Sequence, residues 1–365
     1  MKRWIWENDF FEHLNFTYDP VDMSSLSKKI DGLNKVGSND NIKVEILSDE
    51  LIYSFLIESE VLNRDSVYSS VSKVFNLNVE QSYKWTEWGD NLAILLKEVR
   101  EDFGQWNKER LLDYHRALFF NRPKSLMQRV NVGSYRGDLD GRMRIVSGHM
   151  GREKIHYIAP HASDLEKLMD NFYAYVNSEV LTKEDKIAHA FISHLIFVLI
   201  HPLDDGNGRI ARIINDNLLA KTKLFNNDYF SVSTGVYLTR RDYYATLENI
   251  CKQQHNNITK WVEYGVTSLE IGIDLLLKQI ALIVIKTNIF DRLTPVLNEN
   301  QVRIINKLFD RHLENSRGGN TSVALKIKRQ EIDKDILHLK DLGVLKQVSN
   351  SSFKNLRFEL DFSVF

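Results

Sequence analysis

Residues 201–212 read HPLDDGNGRIAR: a histidine, two adjacent acids, a Gly-Asn-Gly bend and two arginines three apart. Gly206 and Gly208 remove side chains where a ligand must approach the backbone, and successive amides in such a bend form a concave nest for phosphate oxygens. A helix starting there points its positive end at the same place. The GxxxxGK[ST] spacing of a Walker A loop is absent, and the segment follows a helical run rather than a strand, so the phosphate is predicted to be cradled by other means. Arg209 and Arg212 share a helix face from which two guanidiniums can grip the distal phosphates of a nucleotide. Asp205 is placed to hold a hard divalent cation such as Mg2+, and Asp204 to be solvated. His201, with an ordinary pKa of about 6.5, suits a base that takes a proton from a hydroxyl near neutrality. Scattered, the same residues would be a helix end, a turn and a solvated face. Their packing into twelve positions turns the reading toward polyphosphate chemistry.

The elements around the motif are mainly helical, because apolar residues recur at three-to-four spacing and only five prolines and seventeen glycines interrupt them. A strongly apolar helix is predicted over 183–200, with Ile187, Phe191, Leu195 and Val198 on one face. Pro202 disfavours helical geometry at His201, so that helix ends at the motif and a second resumes over about 208–220. The stretch 143–160, MRIVSGHMGREKIHYIAP, reads as a β-hairpin turning at SGHMG, followed by a helix capped by Ser163 or Asp164. After a helical stretch ending near Phe290, Thr294, Pro295 and Asn298 supply turn and cap residues. The C-terminal residues read as two helices, NENQVRIINKLFDRH and RQEIDKDILHLKDLG, and two strands, VLKQVS and NLRFELDF. Helices followed by a two-stranded wing suggest a winged helix-turn-helix. The expected organisation is a helical region over 1–100, a helical core over 101–290 and a small α+β module over 291–365.

A formal net charge of −1 over 365 residues gives no whole-chain footprint for nucleic acid or anionic membrane. The single cysteine, Cys251, cannot form an intrachain disulfide and reads as a small buried apolar residue. The N-terminal stretch is interrupted by Glu7, Asp9 and Glu12 and lacks the pattern of a signal peptide. The run FISHLIFVLI is too short to span a bilayer. The expected location is the cytoplasm, with no membrane partner.

HPLDDGNGRIAR resembles the motif of the Fic family, H-x-F-x-[DE]-G-N-G-R-x-x-R, with Leu203 in place of the phenylalanine at a position that packs inward. Stretches over roughly residues 105–270 extend the likeness: HAFISHLIFVLIHP, GSYR, RRDYYATLENI and WVEYG. The resemblance implies a helical Fic core and transfer of AMP from ATP to a Ser, Thr or Tyr hydroxyl of a protein. It implies that His201 is the base, Asp205 the Mg2+ ligand, and Gly206, Asn207 and Gly208 the anion hole. Arg209 would then stabilise phosphate charge and Arg212 bind the γ-phosphate. Tyr243 or Tyr244 would line the adenine pocket, core packing being the alternative for at least one of them. The hairpin over 143–158 would be a flap on whose edge an unknown target protein adds a strand.

A second stretch, YSFLIESEVLNRDSVYSS, sets Ser54 and Glu58 on one helical face. Read alone, it is an amphipathic helix with a solvated glutamate. Fic proteins with an N-terminal inhibitory helix carry [ST]-x-x-x-E-[GN], and SFLIES resembles it except at Ser59. That likeness implies that Glu58 pairs with Arg212 and occupies the guanidinium the γ-phosphate needs. The aromatic N-terminal stretch reads as a packing or partner-binding region. In the C-terminal module Lys326, Lys328, Arg329 and Lys334 are interleaved with Glu331, Asp333, Asp335 and Asp341. That mixture ranks DNA binding below protein interaction or the positioning of a homo-oligomer. Two alternatives stand beside the adenylyltransferase. The same site would transfer another phosphoester group or remove AMP, or the chain would be a nucleotide-sensing, DNA-binding regulator.

Overall fold

The computed structural model of the chain describes residues 3–79, 84–122, 130–139, 141–148, 152–317, 323–328, 334–348 and 355–363. Helices dominate it. In chain order they are α1 (Asp9–Glu12), α2 (Ser24–Leu33), α3 (Asp40–Ile57), α4 (Arg64–Val74), α5 (Glu87–Glu101) and α6 (Lys108–Phe119). The hairpin β1 (Arg144–Ser147) and β2 (Lys154–Ile158) follows, then α7 (Leu165–Val176), α8 (Lys183–Ile200), α9 (Asn207–Thr222), α10 (Val232–Leu238), α11 (Arg240–Lys252) and α12 (Thr259–Leu293). The chain ends with α13 (Glu299–Ser316), β3 (Leu325–Lys328), α14 (Lys334–Asp341), β4 (Leu345–Gln347) and β5 (Asn355–Leu360). Among the described residues no helix is long and apolar enough to cross a membrane.

α8 is apolar nearly all round and is accordingly buried, from Ile187 to Ile200, with Thr182 capping it by accepting from Asp185 N at 3.0 Å. α9 packs along α8 and also meets α3, α5 and α6. A fully buried bidentate pair fixes α5 to α9: Arg100 Nε and Nη2 donate to Asp216 at 2.6 and 2.7 Å. Arg100 also donates to the carbonyls of Asp228 and Phe230, so its donors are not stranded.

α3 carries the stretch singled out as inhibitory, and it is held along its length. Its residues from Ile46 to Phe55 are buried. Glu50 accepts from Ser231 Oγ at 2.8 Å and from Ser233 N at 2.9 Å at the start of α10. Asp49 pairs with Arg64 of α4. The aromatic N-terminus closes over the hairpin: Trp6 Nε1 donates to Ile158 O at 2.7 Å, and Trp4 meets the Tyr157 ring edge-on.

The chain divides into two compact units, residues 1–273 and 274–365. The division falls inside α12, earlier than the helix end read from the sequence. Ile289, with the half-buried Leu282, Ile285 and Phe290, already belongs to the core of the second unit, with Leu308, Phe309, Leu339 and Phe358. Asn298 caps α13 as expected, in a reciprocal capping box with Gln301. Its sheet has the order β3-β5-β4, antiparallel throughout, so a third strand accompanies the two expected. Ser163 and Asp164 make no side-chain cap for α7; a 3-10 turn over Ala162–Asp164 leads into that helix instead. The hairpin turn at 149–151 and Arg329, Glu331 and Asp333 lie outside the described residues. Cys251 is buried, which pushes its thiol up to about 12.

Candidate active site

His201 terminates α8 in a left-handed backbone conformation, φ 53° and ψ 58°, with its N–H donating to Phe197 O at 2.9 Å. Pro202 disfavours the right-handed helical alternative, and a non-glycine residue held this way costs about 1–2 kcal/mol. Arg136 restrains the strained turn. Its Nε donates to His201 O and its Nη2 to Pro160 O, both at 2.7 Å, while its backbone N–H donates to Pro202 O at 2.9 Å. Asp138 neutralises the guanidinium at 3.1 Å. The His201 ring sets its Nδ1 3.1 Å from Val198 O. A carbonyl only accepts, so Nδ1 carries the proton and Nε2 keeps its lone pair. Burial pushes the imidazole down to about 4.

The loop that follows is tied by its own residues. Leu203 is fully buried. Asn207 Oδ1 accepts from Leu203 N at 3.0 Å and its Nδ2 donates to Leu203 O at 2.7 Å. The Asn207 side chain is therefore spent on closing the loop, and only its amide is left to face a ligand. Gly206 supplies the left-handed N-cap of α9, φ 84°, where a Cβ would crowd the Phe119 ring at 3.1 Å. The amides of residues 207–209 precede the first intrahelical bond of α9, from Ile210 N to Gly206 O, and so form the donor end of that helix. Buried His115 of α6 steadies the bend from below. Its Nδ1 accepts from Gly133 N at 3.0 Å, so its Nε2–H donates to Asp205 O at 3.2 Å. Asp204 is not merely solvated, since it accepts from Asn131 N and Nδ2 at 3.1 and 2.6 Å.

The two motif arginines are buried, at 2% exposure for Arg209 and 1% for Arg212. Arg212 Nε donates to Ser54 Oγ at 3.1 Å, and its Nη2 donates to Ser54 O at 2.8 Å and to Glu58 Oε1 at 2.9 Å. The structure thus brings Ser54, Glu58 and Arg212 together. Glu58 is the C-cap of α3, and the helix closes in a Schellman turn: Glu60 N donates to Phe55 O and Ser59 N to Leu56 O, both at 3.0 Å. Ser59 takes the left-handed position, φ 61°, where glycine or asparagine is at ease. A Cβ on Gly208 would overlap Glu58 Oε1, so the glycine admits the carboxylate. Arg209 Nη2 is 3.2 Å from Asp205 Oδ1, and its Nη1 is 3.2 Å from Glu60 Oε1. Arg212 Nη1 and Arg209 Nε and Nη1 have no hydrogen-bond partner among the described residues.

Tyr243 sits in the core at 3% exposure, its hydroxyl 3.0 Å from His194 Nε2 and its ring against Trp261 and Tyr264. Tyr244 is half-exposed and donates to Ile57 O at 3.1 Å, at the end of α3. The hairpin pairs Arg144 with Ile158 and Ser147 with Lys154 around a bulge at Ile145/Val146, leaving β1 largely exposed. Tyr157 OH anchors it to Leu199 O at 2.8 Å. Arg136, His115 and Glu60 were missed by sequence reasoning. Only Arg136 carried a signal, as the last residue of GSYR.

Residues 105–219 match the model of the Fic/DOC family, and residues 4–77 match a domain of unknown function, DUF4172. A Nematostella vectensis protein named protein adenylyltransferase Fic is 31% identical over 122 residues, covering 32% of this chain and 26% of that protein. Its Drosophila erecta namesake is 34% identical over 80 residues, 21% of this chain and 16% of that protein. The match thus spans about a quarter or less of these relatives' length. Among solved structures, a Fic family protein from Desulfovibrio desulfuricans G20 aligns with TM-score 0.54 at 19% identity, covering 94% of this chain and 97% of that one. A Fic domain containing signaling protein from Bacteroides thetaiotaomicron aligns with TM-score 0.51 at 16% identity, covering 70% and 95%. These two likenesses concern the fold.

Proposed function

The chain belongs to the Fic family, and on that premise we propose that it is a self-inhibited protein adenylyltransferase, moving AMP from ATP to a hydroxyl of a target protein. The observation that carries the reading is His201: an imidazole whose Nδ1–H is spent on Val198 O, and whose Nε2 is unprotonated at neutral pH, on the loop that leads into the Gly206 cap of α9. In the reaction, Nε2 takes the proton of a Ser, Thr or Tyr hydroxyl while its oxygen forms a bond to the α-phosphorus. The bond from that phosphorus to pyrophosphate breaks. The amides of residues 207–209 face charge developing on the phosphate oxygens, and Arg209 and Arg212 grip the distal ones.

Mg2+ fits the donor set. Among the described residues no group of three His, Cys, Asp or Glu is arranged to cage a metal, but Mg2+ on a nucleotide commonly needs one or two carboxylates, with phosphates and water supplying the rest. Asp205, with its side chain 40% exposed, would hold the ion, which neutralises phosphate charge when bound. Tyr244 is the better placed of the two tyrosines to line an adenine pocket, because Tyr243 is consumed by the core. The edge of β1 offers main-chain groups to an added target strand. Glu58 holds Arg212 and keeps the enzyme off.

The test is incubation of wild type, Glu58→Gly and His201→Ala with labelled ATP and Mg2+, followed by mass spectrometry. AMP attached by Glu58→Gly and absent with His201→Ala supports the reading. Another added group, or loss of AMP from a modified protein, refutes adenylyl transfer while keeping the site.

A further inference from the structure

We propose that Arg122 is a third phosphate-binding guanidinium of the nucleotide site, and that Glu60 holds its place there as a second inhibitory carboxylate. The inference rests on the nucleotide-transfer reading and extends it to residues outside both sequence motifs.

Arg122 lies just beyond α6, with its side chain only 6% exposed and its guanidinium 5.2 Å from the centre of the Phe119 ring. The same ring takes Arg209 at the same distance. Two guanidiniums therefore share one aromatic ring, both largely out of water. Like charges so placed repel strongly unless an anion lies between them. That anion is one oxygen of Glu60: Oε1 accepts from Arg122 Nη2 at 2.7 Å and lies 3.2 Å from Arg209 Nη1. On the other side, Asp205 Oδ2 lies 3.7 Å from Arg122 Nη1 and Oδ1 lies 3.2 Å from Arg209 Nη2. Arg122 thus joins the Asp205–Arg209 pair that the motif supplies.

Among the described residues more guanidinium donors than carboxylate acceptors are left over here, the one such acceptor being Glu60 Oε2. Arg122 Nε, Arg209 Nε and Nη1, and Arg212 Nη1 have no hydrogen-bond partner among the described residues, although their side chains are more than nine-tenths buried. A buried unpartnered donor is costly, and a phosphate presents more oxygens, with more charge, than a carboxylate. Charge balance points the same way. Three guanidiniums, Arg122, Arg209 and Arg212, face three carboxylates, Glu58, Glu60 and Asp205. Asp205 is retained for the metal, so Glu58 and Glu60 supply the negative charge that a magnesium-bound triphosphate brings when it displaces them.

The two glutamates are coupled by the backbone. Both leave the single Schellman turn that ends α3, on either side of left-handed Ser59. Glu58 is directed at Arg212 and Glu60 at Arg209 and Arg122. One turn therefore covers the whole guanidinium set.

The test uses the full chain, with Glu58→Gly as the parent and Glu60→Gln and Arg122→Ala added to it singly. Melting temperature reports folding, and calorimetric titration with MgATP, and separately with AMP, reports binding. Glu60→Gln is expected to tighten MgATP a further 3- to 10-fold. Arg122→Ala is expected to weaken MgATP at least 10-fold and AMP less than 2-fold, because Arg122 serves the distal phosphates. If Arg122→Ala does not fold, Arg122→Lys takes its place with an expected 3-fold or greater loss for MgATP alone. Unchanged MgATP affinity in the Arg122 variant, equal loss of AMP and MgATP, or no gain from Glu60→Gln overturns the proposal while the adenylyltransferase reading stands. No MgATP binding by the folded parent overturns both.

Discussion

Glu58→Gly removes one carboxylate, and its effect follows from the geometry. Glu58 Oε1 sits 2.9 Å from Arg212 Nη2, which makes this a charge-assisted hydrogen bond, a class worth about 1.5–3 kcal/mol net. A Coulomb estimate for charge centres ~4 Å apart at an effective dielectric of 20 gives about 4 kcal/mol gross. The Glu58 side chain is 34% exposed, so solvent screening, with the cost of ordering a long side chain, brings that down to about 2 kcal/mol. A γ-phosphate displacing Glu58 must overcome that amount. Removing it is worth ~30-fold in apparent MgATP affinity. Ser54 still holds Arg212 through Oγ and the backbone carbonyl, so the guanidinium keeps its place. The assay is calorimetric titration of wild type and Glu58→Gly with MgATP, paired with transfer of AMP read by mass spectrometry. Affinities within 2-fold and equal transfer, at matched melting temperatures, would refute the reasoning.

Four further outcomes are expected. Ser59→Gly relieves a left-handed non-glycine residue and is expected to stabilise the chain by ~1 kcal/mol, raising the melting temperature by about 2 °C, whereas Ser59→Ala gives no gain. Transfer by the released enzyme is expected to be flat from about pH 5.5 to 8 and to fall toward pH 4, because His201 is held down to about 4; a flank at 6.5 in the pH–rate profile would contradict this. Stability follows the same sign. His115 and His194 are pushed down to about 4 and 3 by burial, so the unfolded chain binds their protons first. Stability is then lost as pH falls below 6.5, at about 1.4 kcal/mol per pH unit for each histidine, measurable by denaturant melts at pH 7, 6 and 5. Arg136→Lys is expected to cost about 3 kcal/mol and to lower kcat more than it raises KM, because an ammonium cannot reach both carbonyls that the guanidinium spans; unchanged thermal melts and kinetics would refute it.

The sequence made the frame of the site legible because local rules wrote it. Apolar periodicity marks α8, Pro202 ends it, Gly206 starts α9, and Asn298 caps α13. The supports of the site are long-range and leave no local trace. Arg136 reaches a carbonyl 65 residues away, His115 one 90 residues away, and Arg122 a carboxylate 62 residues away. No periodicity encodes such meetings. The short charged strand β3 exists through its pairing with β5, and α12 changes the core it serves without changing its helical pattern. Asn207 taught a subtler lesson. Its place in the motif suggested a ligand contact, while its side chain is needed to close the loop.

The anchoring of α3 limits how such a restraint can be lifted. Glu50 is tied to the start of α10 and Asp49 to Arg64, so the rod is anchored along its body and its last turn meets the motif arginines. Under the proposed inhibition, a bolt of that kind would not be drawn back; it would yield atom by atom to whatever anion competes for its seat. Output would then rise smoothly with nucleotide supply, as a dimmer does, and a signal that sharpened it would have to act on a handful of atoms at that tip.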